Sequence, residues 1–191
     1  MEANGLRQGA GPPFAKIGFD VPRGAGRAII PAMAQGHGDG TTGPDVSPRF
    51  ERIDHTADVG VRVRGRTLEA LFAHAAEALF DVMFEPVPEP GPADTPDRVR
   101  VEADDLPGLL QAWLSELLYR FLAEGRVGTA FAVVRLVRAP GACALEAEVR
   151  GGPYDPARHA LRTELKAVTF HQLRVEETAG GGWEAQVIFD A

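Results

Sequence analysis

The chain of 191 residues contains a single cysteine, Cys143, which excludes an intramolecular disulfide and a zinc site built from several cysteines. It also lacks an apolar run long enough to cross a bilayer, and its first residues lack the charged start and apolar stretch of a secretory signal. Three motifs of hydrolases and nucleotide-binding enzymes are absent as well: G-x-S-x-G, H-E-x-x-H and the P-loop. We therefore expect a soluble, cytoplasmic protein without a conventional catalytic centre.

Basic residues are in the minority over most of the chain. Residues 1–49 contain five Lys or Arg and four Asp or Glu, whereas residues 50–191 contain 15 and 23. An acidic domain is a poor electrostatic match to a phosphate backbone, so direct binding of RNA or DNA is disfavoured. A cation or a basic protein partner remains compatible with this charge.

The first 48 residues are rich in Gly, Pro, Ala and small polar residues and show no sustained period. This composition predicts a disordered extension over residues 1–48, followed by one domain over residues 49–191. Met33 lies inside the extension, and we hypothesise that translation starts there.

Apolar residues spaced by three and four predict two amphipathic helices. The first begins after Thr67, a plausible N-cap, and runs to Met83. The second is capped by Asp104 or Asp105 and ended by Gly125. Apolar helix faces this wide are expected to pack against an apolar face of a sheet.

Alternating apolar and polar residues predict strands at 59–64, 98–102, 129–138, 142–150, 165–170, 173–177 and 183–190. Five prolines between positions 86 and 96 predict an irregular loop. Short turns between many strands favour an α+β fold, with a mainly antiparallel sheet packed by the two helices.

A polar cluster precedes the first predicted strand, where Asp54, His55 and Asp58 occur within five residues. Such residues before a strand commonly bind their own backbone in a turn, and this interpretation stays open. The last strand is the expected partner of the cluster, because it ends in the Asp190 side chain and the terminal carboxylate of Ala191.

From about Phe50 to its end, the chain resembles the archease family, which assists the GTP-dependent RNA-splicing ligase. The resemblance rests on six blocks in family order: DHTADVG, TLEALFAHAAEALFDVM, DLPGLLQAWLSELLYRF, GGPYDPARH, ELKAVTFHQLRVE and GGWEAQVIFDA. It implies a fold related to strand–helix–strand–strand modules, with a metal site.

The resemblance implies that Asp58, Asp190 and the terminal carboxylate of Ala191 are the metal ligands. Calcium is the expected cation, with magnesium or manganese as alternatives, because these hard cations bind several oxygen atoms. A bound cation also makes three neighbouring carboxylates tolerable. The alternative is that Asp190 is an ordinary terminal residue in solvent.

Four further residues of the matching blocks, namely Asp54, His55, Lys166 and His171, are candidate contacts to the ligase or its nucleotide. Surface charge at a strand end is the alternative for Lys166 and His171.

The resemblance implies an activator and not an enzyme: it promotes attachment of GMP to the active-site histidine of the ligase and supports multiple turnover. RNA is expected to be contacted only through the ligase. The alternatives are a stand-alone metal-dependent hydrolase and a chaperone-like binding module.

Overall fold

The computed structural model describes residues 48–54 and 59–191; for Asp54 it describes the backbone only. In chain order the elements of these residues are β1 (Phe50–Asp54), β2 (Val59–Gly65), α1 (Leu68–Met83), β3 (Thr95–Ala103), α2 (Leu106–Glu124), β4 (Arg126–Ala139), β5 (Ala142–Pro153), β6 (Ala167–Val168), β7 (Arg174–Glu177) and β8 (Trp183–Asp190). Residues 1–47 lie outside the described residues, so the disordered extension, the domain boundary and the start at Met33 stay predictions.

The strands form two sheets in which every pairing is antiparallel. The order β1-β2-β8-β6 defines the first sheet, in which β7 also pairs with β8. The second sheet has the order β3-β5-β4. The predicted α+β class is confirmed. The strands are divided between two sheets, however, and β1 is a strand that the sequence analysis did not predict.

Both helices begin and end where the sequence predicts. The hydroxyl oxygen of Thr67 accepts from the backbone N–H of Ala70 at 3.2 Å, which caps α1. Of the two candidate caps of α2, Asp105 is used: its carboxylate accepts from the N–H of Gly108 at 2.7 Å. The left-handed conformation of Gly125, with φ of 63°, ends α2.

The core lies between the helices and the two sheets. Helix α1 packs against β2 and β4, which belong to different sheets, and α2 packs against β3 and β4. The indole N–H of Trp113 on α2 donates to the carbonyl oxygen of Phe72 on α1 at 3.0 Å, so the buried ring also joins the helices. Cys143 is a buried core residue, and burial raises the pKa of its thiol.

Some predicted boundaries are wrong. The proline-rich loop is shorter than predicted, because Pro96 lies inside β3, where it is paired with Arg150. Proline is tolerated there because β3 is an edge strand of its sheet. Strand β4 starts at Arg126 and β5 continues to Pro153, so both are longer than predicted.

The strand predicted at 165–170 is reduced to the two residues of β6. The N–H of Thr169 still donates to the carbonyl oxygen of Ile188 at 3.1 Å. The chain then leaves β8, since Gln172 adopts a positive φ of 52°.

Candidate functional site

The candidate site lies where β8 ends between β2 and β6. Asp190 is paired with Ala167 of β6, and the preceding Phe189 is paired with Val59 of β2. The backbone N–H of Lys166 donates to the carbonyl oxygen of Asp190 at 2.8 Å. The Lys166 side-chain nitrogen donates to a main-chain oxygen of Ala191 at 3.0 Å. We call Lys166, Asp190 and Ala191 the Asp190 end of β8; all three residues are exposed.

Asp190 faces solvent because it is the last residue of β8; Gln186 and Ile188, on the same side of the strand, are buried. Ala185, Val187 and Phe189 are buried in the core, and they fix the strand against the helices. Successive side chains of a strand point to opposite faces, so Asp190 points away from the core face that holds Phe189. The buried anchor and the exposed carboxylate are adjacent, which gives the carboxylate a rigid base.

Gly60 of β2 shapes the same face of the sheet. It is paired with Ile188, which is 1% exposed. A Cβ at Gly60 would lie 3.0 Å from Ile188 Cδ1 and 3.3 Å from Ile53 Cβ. The absence of a side chain at Gly60 therefore leaves room for Ile188, two residues before Asp190.

Part of the predicted site falls outside the described residues. His55 and Asp58 are outside them, and so is the side chain of Asp54, whose backbone is paired with Val59. A contact between the carboxylates of Asp58 and Asp190 therefore stays a prediction. The described strands confirm that β2, which begins directly after Asp58, runs beside the last strand of the chain.

His171 lies on the turn between β6 and β7. Arg174 lies seven positions after Ala167, whereas their partners Gln186 and Asp190 on β8 lie four positions apart. The segment from β6 to β7 thus bulges outward by three residues, and exposed His171 lies on this bulge. Of the two candidate contacts Lys166 and His171, the structure places only Lys166 against Ala191.

Within residues 48–54 and 59–191, no three His, Cys, Asp or Glu side chains converge as metal ligands would. The predicted ligand set is of a different kind. One of its members, Asp58, lies outside these residues, and another is the main-chain carboxylate of Ala191. In the described part of the chain, Asp190 also has no ion pair.

Sequence reasoning missed Gln186, a polar residue that is only 7% exposed. Its side-chain amide donates to the Gln172 side-chain oxygen at 3.0 Å, and this bond ties the bulge to β8. The signal available was a single amide side chain inside a strand whose later residues are almost all apolar.

The buried His159 belongs to a structural loop and not to the site. Its Nδ1 accepts from the backbone N–H of Asp155 at 3.0 Å, so its ring is held in one orientation. Burial, helped by the charge of Arg158, lowers the pKa of His159. The Asp155 carboxylate accepts from the N–H of Ala157 at 2.9 Å, which helps to fix this loop.

Among the helices that the structure describes, none has the length and apolar character that crossing a membrane requires.

Comparison with known proteins identifies relatives along the whole domain. The family model described as "Archease protein family (MTH1598/TM1083)" matches residues 50–191. The protein archease of Methanosarcina mazei is 39% identical over 147 residues, which cover 77% of this chain and 99% of the relative. That of Pyrococcus furiosus is 36% identical over 144 residues, 74% of this chain and 98% of the relative.

A solved structure agrees with the fold. The solution structure of Methanobacterium thermoautotrophicum protein 1598 matches with a TM-score of 0.61 and 30% sequence identity. The match covers 75% of this chain and 99% of that chain. The family model and these relatives span the two helices, both sheets and the Asp190 end. This chain therefore belongs to the archease family.

Proposed function

We propose that this protein is a metal-binding accessory protein that activates the GTP-dependent RNA-splicing ligase. It would promote attachment of GMP to the active-site histidine of the ligase and support multiple turnover. The observation that carries the proposal is the Asp190 end of β8. At this end, Asp190 and Ala191 present exposed anionic oxygens on β8. Strand β8 pairs with β2, the strand that follows Asp58 in the sequence.

The donor atoms at the Asp190 end fit a hard cation. The Asp190 carboxylate and the main-chain carboxylate of Ala191 are oxygen donors of the kind that calcium, magnesium and manganese bind. The Lys166 ammonium lies 3.0 Å from an Ala191 oxygen, so a positive charge is already accommodated beside it. The strand that follows Asp58 in the sequence begins at Val59, the partner of Phe189. Asp58, Asp190 and Ala191 would hold the cation.

A divalent cation bound at these residues would supply positive charge to neutralise nucleotide phosphate oxygens during nucleotidyl transfer. The chain itself contributes position. Buried Phe189 fixes the end of the strand, and the Lys166 backbone bond to Asp190 holds it against β6. Lys166, with Asp54, His55 and His171 as further candidates, contacts the ligase or its nucleotide. Because the domain is acidic, the ligase and not this protein binds the RNA.

The test combines the protein with its cognate ligase, manganese and limiting GTP, and measures the histidine–GMP adduct over several turnovers. We expect the wild type to stimulate adduct formation and Asp190→Ala to lose the stimulation. Glu177→Ala is the matched control, because it removes an exposed carboxylate near the other end of β8.

Stimulation by Asp190→Ala at the wild-type rate would contradict the metal site. Cleavage of phosphate esters without any ligase would instead identify a hydrolase. Suppressed aggregation of unrelated proteins, without stimulation of the ligase, would identify a chaperone-like module.

A further inference from the structure

Phe170 is the most exposed of the large hydrophobic side chains in the described part of the chain. It is 66% exposed, compared with 57% for Tyr119 on α2. Burying a phenylalanine stabilises a protein by about 1.5–3 kcal/mol. A ring left in solvent makes little of this contribution to folding and is available to a partner.

The turn that carries Phe170 is held in place on both sides. Before the ring, the N–H and the hydroxyl of Thr169 both donate to the carbonyl oxygen of Ile188, at 3.1 and 2.9 Å. After it, the N–H of Leu173 donates to the Phe170 carbonyl oxygen at 3.3 Å, and Gln186 binds the Gln172 side chain.

Gln172 has a positive φ of 52°, a conformation that costs a non-glycine residue about 1 kcal/mol or more and persists only where the surroundings impose it. Phe170 is therefore presented on a preorganised turn, which reduces the entropy lost when a partner binds.

The turn is continuous with the candidate site. Phe170 lies four residues after Lys166 on the segment that pairs with β8, so both belong to one sheet edge. A partner covering the Asp190 end would approach along this edge and reach Phe170.

The charge at this edge favours a protein over a nucleic acid. Its exposed charged residues are Glu164, Lys166, Glu176, Glu177 and Asp190, four of them acidic. Acidic side chains repel phosphate groups and attract Lys and Arg. The Phe170 ring lies on this mainly acidic edge. It is therefore complementary to a protein surface on which an apolar pocket is bordered by basic side chains.

We propose that Phe170 is the apolar anchor of a docking surface for a basic-rimmed pocket on the partner protein. The inference rests on the proposed function, in which that partner is the RNA-splicing ligase. The Asp190 end would act on the nucleotide, while the Phe170 turn would supply affinity.

The test measures the dissociation constant between the immobilised ligase from the same genome and four proteins: wild type, Phe170→Ala, Phe170→Leu and Tyr119→Ala. We expect Phe170→Ala to raise the Kd about tenfold or more, as truncation of an anchor does, and Phe170→Leu to raise it less. Tyr119→Ala, the matched exposed aromatic, should leave the Kd unchanged. Because the loss is in binding, a saturating concentration of Phe170→Ala should restore stimulation of adduct formation.

A photoreactive phenylalanine analogue at position 170 gives a second readout, and we expect it to crosslink to the ligase. Stimulation by the wild type with equal affinity of Phe170→Ala would overturn the docking inference alone. Absence of wild-type binding and stimulation would overturn the proposed function, and the inference with it. Retained ligase affinity with loss of RNA or GTP binding would assign the ring to base stacking and reject the protein pocket.

Discussion

The two ends of β8 carry acidic residues in opposite circumstances. At the Trp183 end, the Glu184 carboxylate lies 3.5 Å from Arg62 Nε and 3.1 Å from Arg64 Nε, and Glu51 accepts from both arginines. At the Asp190 end, no described arginine approaches the carboxylate, and the only described cation bound there is Lys166, on Ala191. Carboxylates with arginine partners hold strands together, whereas the Asp190 carboxylate is left available to a ligand.

Stability alone does not explain this difference. Exposed ion pairs contribute about 0–1 kcal/mol each, so pairing Asp190 in the same way would add little. An unpaired carboxylate on a fixed strand costs the fold little and provides a ligand atom. We therefore expect substitutions near the Trp183 end and in buried ion pairs to change stability, and substitutions at the Asp190 end to change binding.

The largest effect is expected from Gly65→Ala, beside the Trp183 end. Gly65 is paired with Trp183, and an added Cβ would lie 2.4 Å from the backbone nitrogen of Leu71 and 2.8 Å from the Thr67 carbonyl oxygen. Backbone atoms cannot rotate away, so we expect a loss of about 3 kcal/mol in the free energy of unfolding, measured by urea denaturation. Gly180→Ala, with no atom within 4 Å of its Cβ, is the control. Equal stability of the two variants would contradict this packing.

Next in size is Glu146→Ala in the second sheet. Glu146 is 6% exposed, and its carboxylate accepts from Arg98 at 2.6 Å and Arg100 at 3.3 Å. Removing it leaves two partly exposed arginines without this partner, and we expect a loss of about 2 kcal/mol. The free energy of unfolding of Asp190→Ala should lie within about 0.5 kcal/mol of the wild-type value. If urea denaturation showed Asp190→Ala to be the less stable variant, the contrast between paired and available carboxylates would be wrong.

A smaller effect is expected from pH through His159. Its pKa in the folded protein lies below the ordinary value of 6.5 because the ring is buried. As pH falls below about 6.5, the unfolded chain binds a proton that the folded chain does not, so stability decreases until the folded pKa is reached. His159→Phe should flatten the dependence of unfolding free energy on pH between about 7.5 and 5.5. A variant with the wild-type slope would assign the dependence to other groups.

A small effect on stability is also expected from Gly60→Ala, in the same strand as Gly65. The new Cβ would lie 3.0 Å from the end of the Ile188 side chain and 3.3 Å from the Ile53 carbonyl oxygen. The first group can rotate and the second needs to shift by only a few tenths of an ångström, so we expect a change within about 1 kcal/mol. Since Ile188 is two residues before Asp190, calcium affinity should fall even though the fold is kept. Calorimetry and urea denaturation on one sample separate the two effects. A loss of stability as large as that of Gly65→Ala would mean that the two ends of β2 do not differ.

Local patterns predicted much of this fold. Thr67, Asp105 and Gly125 mark the helix ends because capping depends on a few neighbouring residues. The alternation of the last strand predicted the strand but not its burial, because Ala185 to Phe189 are all buried and only Asp190 at the end is exposed. The division into two sheets depends on pairing between distant segments such as β2 and β8, and Pro96 is tolerated only because its strand is at an edge.

The candidate site was only partly predictable. The terminal position of Asp190 and Ala191 was readable from the chain, and their role came from the family resemblance. The contact of Lys166 with Ala191 requires the register of β6 on β8. The turn at Gln172 was not predictable. Nothing in the neighbouring sequence signals a positive φ at a glutamine, and the Gln172 side chain is held by Gln186, which is distant in the chain.

The central claim is that Asp58 and Asp190 bind one cation together, and calcium titration by calorimetry tests it most directly. The proteins are wild type, Asp58→Asn, Asp190→Asn, the double variant and Glu177→Gln as the control. We expect each single variant to weaken calcium binding by about tenfold or more, the double variant to be little weaker than either, and the control to match wild type. Calcium affinity unchanged by Asp190→Asn, or losses that simply add in the double variant, would contradict a shared site.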